Sequence, residues 1–441
     1  MVLPLKVGLA GLGTVGTAVL VLLDRDREAL AARCGRPIEV VAVSARDRAK
    51  QRGAEVAHLR WVDDPSALAQ ARDIDVFVEL MGGQGDPAKS AVEAALGAGK
   101  PVVTANKALL ARHGTALAEL AERTGATLNF EAAVAGGIPI VKALREGLVG
   151  NRFSRIYGIL NGTCNYILSR MEAEQLSFAE CLKEAQRLGY AEADPSFDIE
   201  GHDTAQKLAI LTSLAFGTAP DPEAVYVEGI ASITPEDLRA ADDLGYRVKL
   251  LGVAVRTENG IEQRVHPTMV PKTSAIAQVM GVTNAVAIDA DAVHEITLQG
   301  PGAGGMATAS AVISDLGDIA RGARVPAFGI PATRLGRSGK LPMQLHGGGY
   351  YIRLLAVDRP GTAAVIAGHL ADQHISIESI VQRRPGSAPH GGDDPASAVA
   401  SVPVILVTYA TTEDAVRRAL AAVEAAGVVD GKAQLIRIEK T

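Results

Sequence analysis

The sequence predicts a mixed α/β chain: a doubly wound parallel-sheet unit first, an α+β unit in the middle and a small βαββαβ unit last. Three observations predict it. Short apolar runs alternate with helical patterns over residues 1–140, as the strands and crossover helices of a parallel sheet do. A glycine-rich turn joins the first apolar run to the first helical one. After residue 350 the pattern becomes strand, helix, strand, strand, helix, strand.

In order, residues 5–10, 38–43, 74–79 and 101–104 read as strands, with helices over 15–23 and 87–98. From residue 140 the pattern turns to mixed helices and strands, including a strong helix over 202–216. The glycine-rich run GPGAGG at 300–305 precedes a further helix over 309–320. Residues 331–349 combine prolines and glycines with little apolar periodicity and read as a linker. Beyond it, 350–357, 375–381, 402–409 and 434–438 read as strands and 363–371 and 412–426 as helices. Residues 386–398, rich in Gly, Pro and Asp, read as a mobile loop.

Gly11, Gly13 and Gly16 make a G-x-G-x-x-G pattern between the first strand and the first helix. The first glycine permits the tight turn, the second lets backbone approach a pyrophosphate, and the third lets helix pack on strand. Thr14 and Val15 open the helix, whose amide donors and dipole favour an anion. A Rossmann-type dinucleotide site follows. An NAD-selective site usually ends its second strand in an acidic side chain that holds the ribose 2′-hydroxyl. Here Ser44 and Arg46 stand at that end, with Arg48 and Lys50 behind them. A cation there can neutralise a 2′-phosphate, so the expected cofactor is NADP, with NAD as the alternative.

Composition narrows the class. A net charge of -6 with no basic cluster speaks against nucleic acid as a partner. Three widely spaced cysteines, Cys34, Cys164 and Cys181, form neither a disulfide framework nor a zinc motif. Lys6 interrupts the apolar N-terminus, and no apolar run is long enough to span a membrane. A cytoplasmic protein is expected.

Four further segments carry chemistry: VVTANKALLA at 102–111, FEAAVAGGIPI at 130–140, GILNGTCNYIL at 158–168 and LGYAEADPSFDIEGHDTAQKLAIL at 188–211. Asp203 and Lys207 are four apart on the strong helix and share a face, where such a pair is ordinarily a surface ion pair. Ala205, Leu208, Ala209 and Leu211 around it suggest partial burial. A poised lysine can take a hydroxyl proton as hydride leaves and return it in reverse.

Together with GPGAGG, these segments resemble homoserine dehydrogenases, in the same order and across nearly the whole chain. The resemblance implies reversible NADP(H)-dependent oxidation of L-homoserine, with Lys207 and Lys107 as acid/base groups and Asp203 orienting Lys207 or the substrate. It implies Glu192 for the substrate ammonium, the Gly162 and Thr163 amides with Tyr190 for the carboxylate, and Asp198 shaping the pocket. Thr104, Asn106 and Lys107 would line the cofactor, and Gly302 would return to the nicotinamide. Backbone carbonyls of Glu131, Val134, Gly136 and Ile138 would hold a monovalent cation, sodium or potassium. Met306-Ala307 stands where the family commonly has a proline before its Thr-Ala pair.

The last pattern resembles an ACT domain, with L-threonine as the implied effector. Thr362-Ala363 and Tyr409 depart from its usual residues. The expected organisation is a dinucleotide-binding domain at 1–140, completed by about 300–330. A substrate-binding, catalytic and dimerisation domain follows at 141–300, then the 331–349 linker and the ACT domain at 350–441. A homodimer or homotetramer is implied. The rival readings are another amino-acid dehydrogenase and a catalytically silent cofactor-binding regulator.

Overall fold

In the computed structural model, which describes residues 2–382 and 401–439, the N-terminal region forms a six-stranded parallel sheet. Its strands are β1 (Leu5–Ala10), β2 (Ile38–Ser44), β3 (Arg60–Trp61), β4 (Val76–Glu79), β5 (Val102–Thr104) and β6 (Leu128–Asn129). They lie in the order β3-β2-β1-β4-β5-β6. Helices α1 (Thr14–Arg25), α2 (Arg27–Cys34), α3 (Pro65–Gln70), α4 (Ala88–Gly97) and α5 (Lys107–Thr124) cover it. β1 is buried except at Lys6, and β4 and β5 are buried throughout, which is why they read as largely apolar runs. The chain leaves β1 for β2 on one side and later reaches β4 on the other. That reversal opens a crevice at the strands' carboxyl ends, between β1 and β4.

The middle of the chain contributes the single turn α6 (Ile140–Lys142), β7 (Phe153–Ile159), α7 (Gly162–Glu174), α8 (Phe178–Arg187), α9 (Ser196–Ile199) and α10 (His202–Phe216). The short β8 (Tyr226–Val227) and α11 (Pro235–Asp243) follow, then β9 (Tyr246–Thr257), β10 (Gly260–Pro271), β11 (Thr283–Ala290) and β12 (His294–Pro301). Helix α12 (Gly305–Arg321) then returns to the first unit. Its Ala309, Val312 and Leu316 share a core with Val7, Leu9, Val19 and Leu22 of β1 and α1.

The C-terminal unit comprises β13 (Gly347–Val357), α13 (Thr362–Asp372), β14 (Ile377–Gln382), β15 (Ser401–Thr408), the short β16 (Thr411–Thr412), α14 (Glu413–Ala425) and β17 (Val429–Ile438). The 386–398 segment lies outside the described residues. This unit is not tethered at a distance. β17 pairs in parallel with β10, through Thr268↔Arg437 and Met269↔Ile438. One sheet therefore runs β12-β11-β7-β9-β10-β17-β13-β15-β14. The physical reason is the exposed edge that β10 would otherwise present, which β17 covers.

The 331–349 stretch is correspondingly more ordered than a linker. It holds helical turns at Ala332–Arg334 and Met343–Leu345, β13 begins inside it at Gly347, and Gly336 exchanges backbone hydrogen bonds with Gly217 and Ala219. Among the described residues no helix is long and apolar enough to cross a membrane.

Candidate active site

The three glycines of the first turn stand in different surroundings. Gly11 has φ +102°, and a Cβ there would lie 2.4 Å from the Leu80 carbonyl oxygen beyond β4. A Cβ at Gly16 would strike the Gly11 carbonyl oxygen at 2.0 Å, so this glycine lets α1 seat on the turn. Gly13 faces open space and caps α1 without a side-chain acceptor, leaving the amides of Thr14 and Val15 available to an anion. α12 approaches the same point, because a Cβ on Gly305 would lie 3.0 Å from the Thr14 side chain.

At the end of β2, Ser44 is buried and its hydroxyl donates to the Asp63 carbonyl at 3.4 Å, while Arg46 is exposed. Arg48 pairs with Asp63 and lies over the Trp61 ring. Arg52, which sequence reasoning passed over, donates from Nε to the Leu12 carbonyl of the glycine turn at 3.2 Å and also covers Trp61. Only the fold brings it back to the turn.

The parallel sheet and α10 bring the two lysines together. Lys107 is the first residue of α5, just past β5, and Asn106 caps that helix by accepting from the Leu109 amide at 3.1 Å. Asp203, in the first turn of α10, is 2% exposed. One of its oxygens pairs with Lys107 Nζ, and the other accepts from Lys207 Nζ at 2.8 Å and from Asn161 Nδ2 at 2.8 Å. Lys207 Nζ also donates to the Leu160 carbonyl at 2.6 Å. Burial alone would raise the Asp203 carboxyl, but the two flanking ammonium groups hold it well below the usual carboxylate range. The carboxylate stands between the amines, so each meets an anion before it meets the other.

Asn161 extends the cluster. Its Nδ2 bridges Asp203 and Asp198, at 2.8 Å each, and its Oδ1 caps α7 through the Cys164 amide. Burial, then the Asp203 charge, raises the Asp198 carboxyl. The Gly162 and Thr163 amides, first in α7, have no intrahelical acceptor. The Thr163 hydroxyl donates to the Tyr190 carbonyl at 2.6 Å, and the Tyr190 ring meets Tyr166 edge-on at 5.0 Å. Glu192 is exposed; its carbonyl accepts from Gln186, and its carboxylate has no partner among the described residues.

The 131–138 stretch packs on the turn at 300–305. A Cβ on Gly136, at φ +52°, would meet the Gly302 carbonyl oxygen at 2.5 Å, and one on Gly302 would overlap Asn284. The Ile138 carbonyl accepts from the Ile140 amide at 2.8 Å. The Glu131 side chain is buried and takes the Val141 and Lys142 amides at 2.9 and 2.8 Å. Its own amide donates to Asp315 of α12, whose carboxyl is pushed up to about 7 by burial and by the Glu131 charge. Asp315, Asn161 and Glu79 carry no sequence signal of their own, since single polar residues in apolar surroundings acquire meaning only from what the fold sets beside them.

Comparison with known proteins identifies the family. Two sequence-family models match, "Homoserine dehydrogenase, NAD binding domain" over residues 11–131 and "Homoserine dehydrogenase" over residues 139–316. The chain belongs to the homoserine dehydrogenase family. It is 45% identical over 443 residues to the homoserine dehydrogenase of Neisseria gonorrhoeae, covering 99% of each chain. It is 44% identical to that of Pseudomonas aeruginosa, again over 99% of each. The crystal structure of a homoserine dehydrogenase from Thiobacillus denitrificans superposes with a TM-score of 0.91 at 46% identity, covering 99% of this chain and 98% of that one. A mutant of a hyperthermophilic archaeal homoserine dehydrogenase, in complex with NADPH, has a TM-score of 0.60 at 28% identity, covering 72% of this chain and 97% of that one. The protein is an oxidoreductase that acts on a CH–OH group with a nicotinamide cofactor, in amino-acid biosynthesis.

Proposed function

We propose that the chain interconverts L-homoserine and L-aspartate 4-semialdehyde with NADP(H), in threonine, methionine and isoleucine biosynthesis. The observation that carries this reading is the single buried carboxylate of Asp203 holding Lys107 and Lys207 beside the β1/β4 crevice. When bound, the nicotinamide accepts or returns the hydride at the carbinol carbon. Lys207 Nζ already has Leu160 O and Asp203 as partners, which leaves one position for the substrate oxygen. In oxidation that position takes the hydroxyl proton, and in reduction it gives the proton back. Lys107 polarises the same oxygen and can exchange roles with Lys207. Glu192 would meet the substrate ammonium, and the Gly162 and Thr163 amides with Tyr190 its carboxylate, beside a pocket shaped by Asp198. Asn106 and Gly302 would line the nicotinamide side, whereas Thr104 is buried with its hydroxyl turned to Glu79.

The preference for NADP rests on Arg46 together with Arg52, the guanidinium that reaches the glycine turn. A mutant archaeal relative holds NADPH, a nicotinamide cofactor of the same class. A monovalent cation would suit the carbonyls of Glu131, Val134, Gly136 and Ile138, as a stabiliser of that turn with no part in proton transfer. The C-terminal unit, with strand order β17-β13-β15-β14, has the βαββαβ layout of an ACT domain. It would bind L-threonine and join chains into a homodimer or homotetramer.

Absorbance of the reduced cofactor, followed with L-homoserine and NADP⁺ or NAD⁺, tests the reading. The expected result is faster turnover with NADP⁺, lost in Lys207→Ala while cofactor binding persists, with the preference narrowed in Arg52→Ala. A folded wild type that binds NADP⁺ but turns over homoserine in neither direction would remove it.

A further inference from the structure

Glu79, the last residue of β4, is fully buried and plays no part in the proton transfer described above. Its partners are unusual for a strand end. One carboxylate oxygen accepts from the Met81 and Gly82 amides, at 2.7 and 3.0 Å. The other accepts from the Thr104 hydroxyl at 2.6 Å. All three partners donate, which suits a group that only accepts.

Each contact leads to a different part of the site. The Thr104 oxygen in turn accepts from the Asn106 amide at 3.0 Å. Asn106 caps α5 through the Leu109 amide and donates from Nδ2 to the Gly83 carbonyl at 2.7 Å. The residue after this cap is Lys107. In the other direction, the loop that Glu79 holds begins at Leu80, whose amide donates to Ala10 and whose carbonyl oxygen lies against Gly11. The loop is thus clamped between the cofactor turn and the helix that presents Lys107.

We propose that Glu79 is a positioning residue that keeps the glycine turn and Lys107 in a fixed relation, through the 80–83 loop on one side and Thr104–Asn106 on the other. The inference rests on the proposed role of Lys107 and adds the group that sets where this lysine stands. Its two arms are separable. Removing the carboxylate charge disturbs both; removing the Thr104 hydroxyl cuts only the arm to Lys107.

The test uses the full-length enzyme as wild type, Glu79→Gln, Thr104→Val and Thr104→Ser. Far-ultraviolet circular dichroism checks folding, fluorescence of the reduced cofactor gives its Kd, and turnover of homoserine gives kcat and KM. Glu79→Gln is expected to raise the cofactor Kd at least fivefold and to lower kcat at least tenfold. Thr104→Val should lower kcat about as much while changing the cofactor Kd less than threefold. Thr104→Ser, which keeps the hydroxyl, should restore most of the lost rate. That split between rate and affinity, with hydroxyl rescue, is not what general loosening of the fold would give. A folded Glu79→Gln enzyme with kcat and Kd within twofold of wild type overturns the proposal. If Glu79→Gln does not fold, the threonine pair decides, and equal rates for Thr104→Val and Thr104→Ser overturn it. Should wild type fail to oxidise homoserine, the proposed function falls, while the Kd of Glu79→Gln against wild type still decides whether Glu79 holds the cofactor turn.

Discussion

Two regions of this molecule that bury charge use different residues to do it. In the candidate active site two lysines share one aspartate, Lys107 remains about one-third exposed, and Lys207 keeps a free position. At the junction with the C-terminal unit the cations are arginines. Arg437, 1% exposed, makes a two-pronged pair with Glu413 at 2.6 and 2.7 Å and a further pair with Glu228 at 2.7 Å. Arg264 joins Glu262 and Glu439, and His346 Nδ1 meets Glu262 at 2.9 Å. Arg353 reaches Asp237, which completes the capping box of α11 with Thr234. Arginine keeps its proton at any working pH and its planar fork fixes direction, whereas lysine is a compact amine that can exchange a proton. The difference supports the proposed division, with the first cluster as machinery and the second as fastening.

The sharpest way to break that comparison is to remove a fastening. Arg437→Met leaves Glu228 without this cation and Glu413 with Arg417 alone, and breaking a buried pair from one side costs up to about 3–5 kcal/mol. The urea transition that reports the C-terminal unit should move down by that amount, while kcat per folded molecule stays within about threefold. An unmoved transition, or a rate loss that tracks the loss of stability, would show that the junction is not merely structural.

The next effect, smaller in free energy, falls on the machinery. Asp203→Asn keeps the shape and the contact with Asn161 but removes the charge that anchors both amines. The expected loss in kcat is about 10²-fold, roughly 2.7 kcal/mol of transition-state stabilisation, with cofactor Kd little changed. A loss of less than threefold would mean that the lysines need no common anchor.

How far the sequence disclosed these two regions follows from the range of the forces involved. Gly11, Gly13 and Gly16 were legible because their pattern is local to one turn, although the Leu80 carbonyl that crowds Gly11 comes from beyond β4. Lys107 and Lys207 were legible as residue types within motifs, and the spacing of Asp203 and Lys207 gave their common face. That Asp203 also holds Lys107 depends on α5 and α10 meeting across two units, a contact between residues distant in sequence. The junction was hidden for the same reason. Arg437 sits in an alternating strand pattern where a charged residue reads as solvent-facing, and the pairing of β17 with β10 is a register between distant segments. Glu79 was read only as a strand end, and its importance comes from Thr104 and the 80–83 loop closing over it.

A third buried cluster sharpens the comparison with the smallest effect, because here a carboxyl faces another carboxyl. Asp315 is pushed up to about 7, first by burial and then by Glu131, against which the Glu131 amide and the charges of Lys142 and Arg145 act weakly. Burial raises Glu131 in the same direction. The folded state therefore binds a proton at Asp315 that the unfolded chain, with an ordinary aspartate, releases from about pH 4. Wherever the native state holds more protons than the unfolded one, stability falls as pH rises. Between about pH 4 and pH 7 this carboxyl should thus remove up to about 1.4 kcal/mol of stability per pH unit. Asp203 and Glu439, held low in the folded state, act with the opposite sign below that window, but Glu131 acts with the same sign within it, so the wild-type slope alone does not isolate the group. Asp315→Asn keeps an oxygen for the Glu131 amide and has no proton to lose. Urea midpoints of both proteins at pH 5 and pH 7 give the difference directly. The variant should gain on wild type as pH rises, and a constant or shrinking difference would mean that Asp315 is already ionised in the folded enzyme at pH 5.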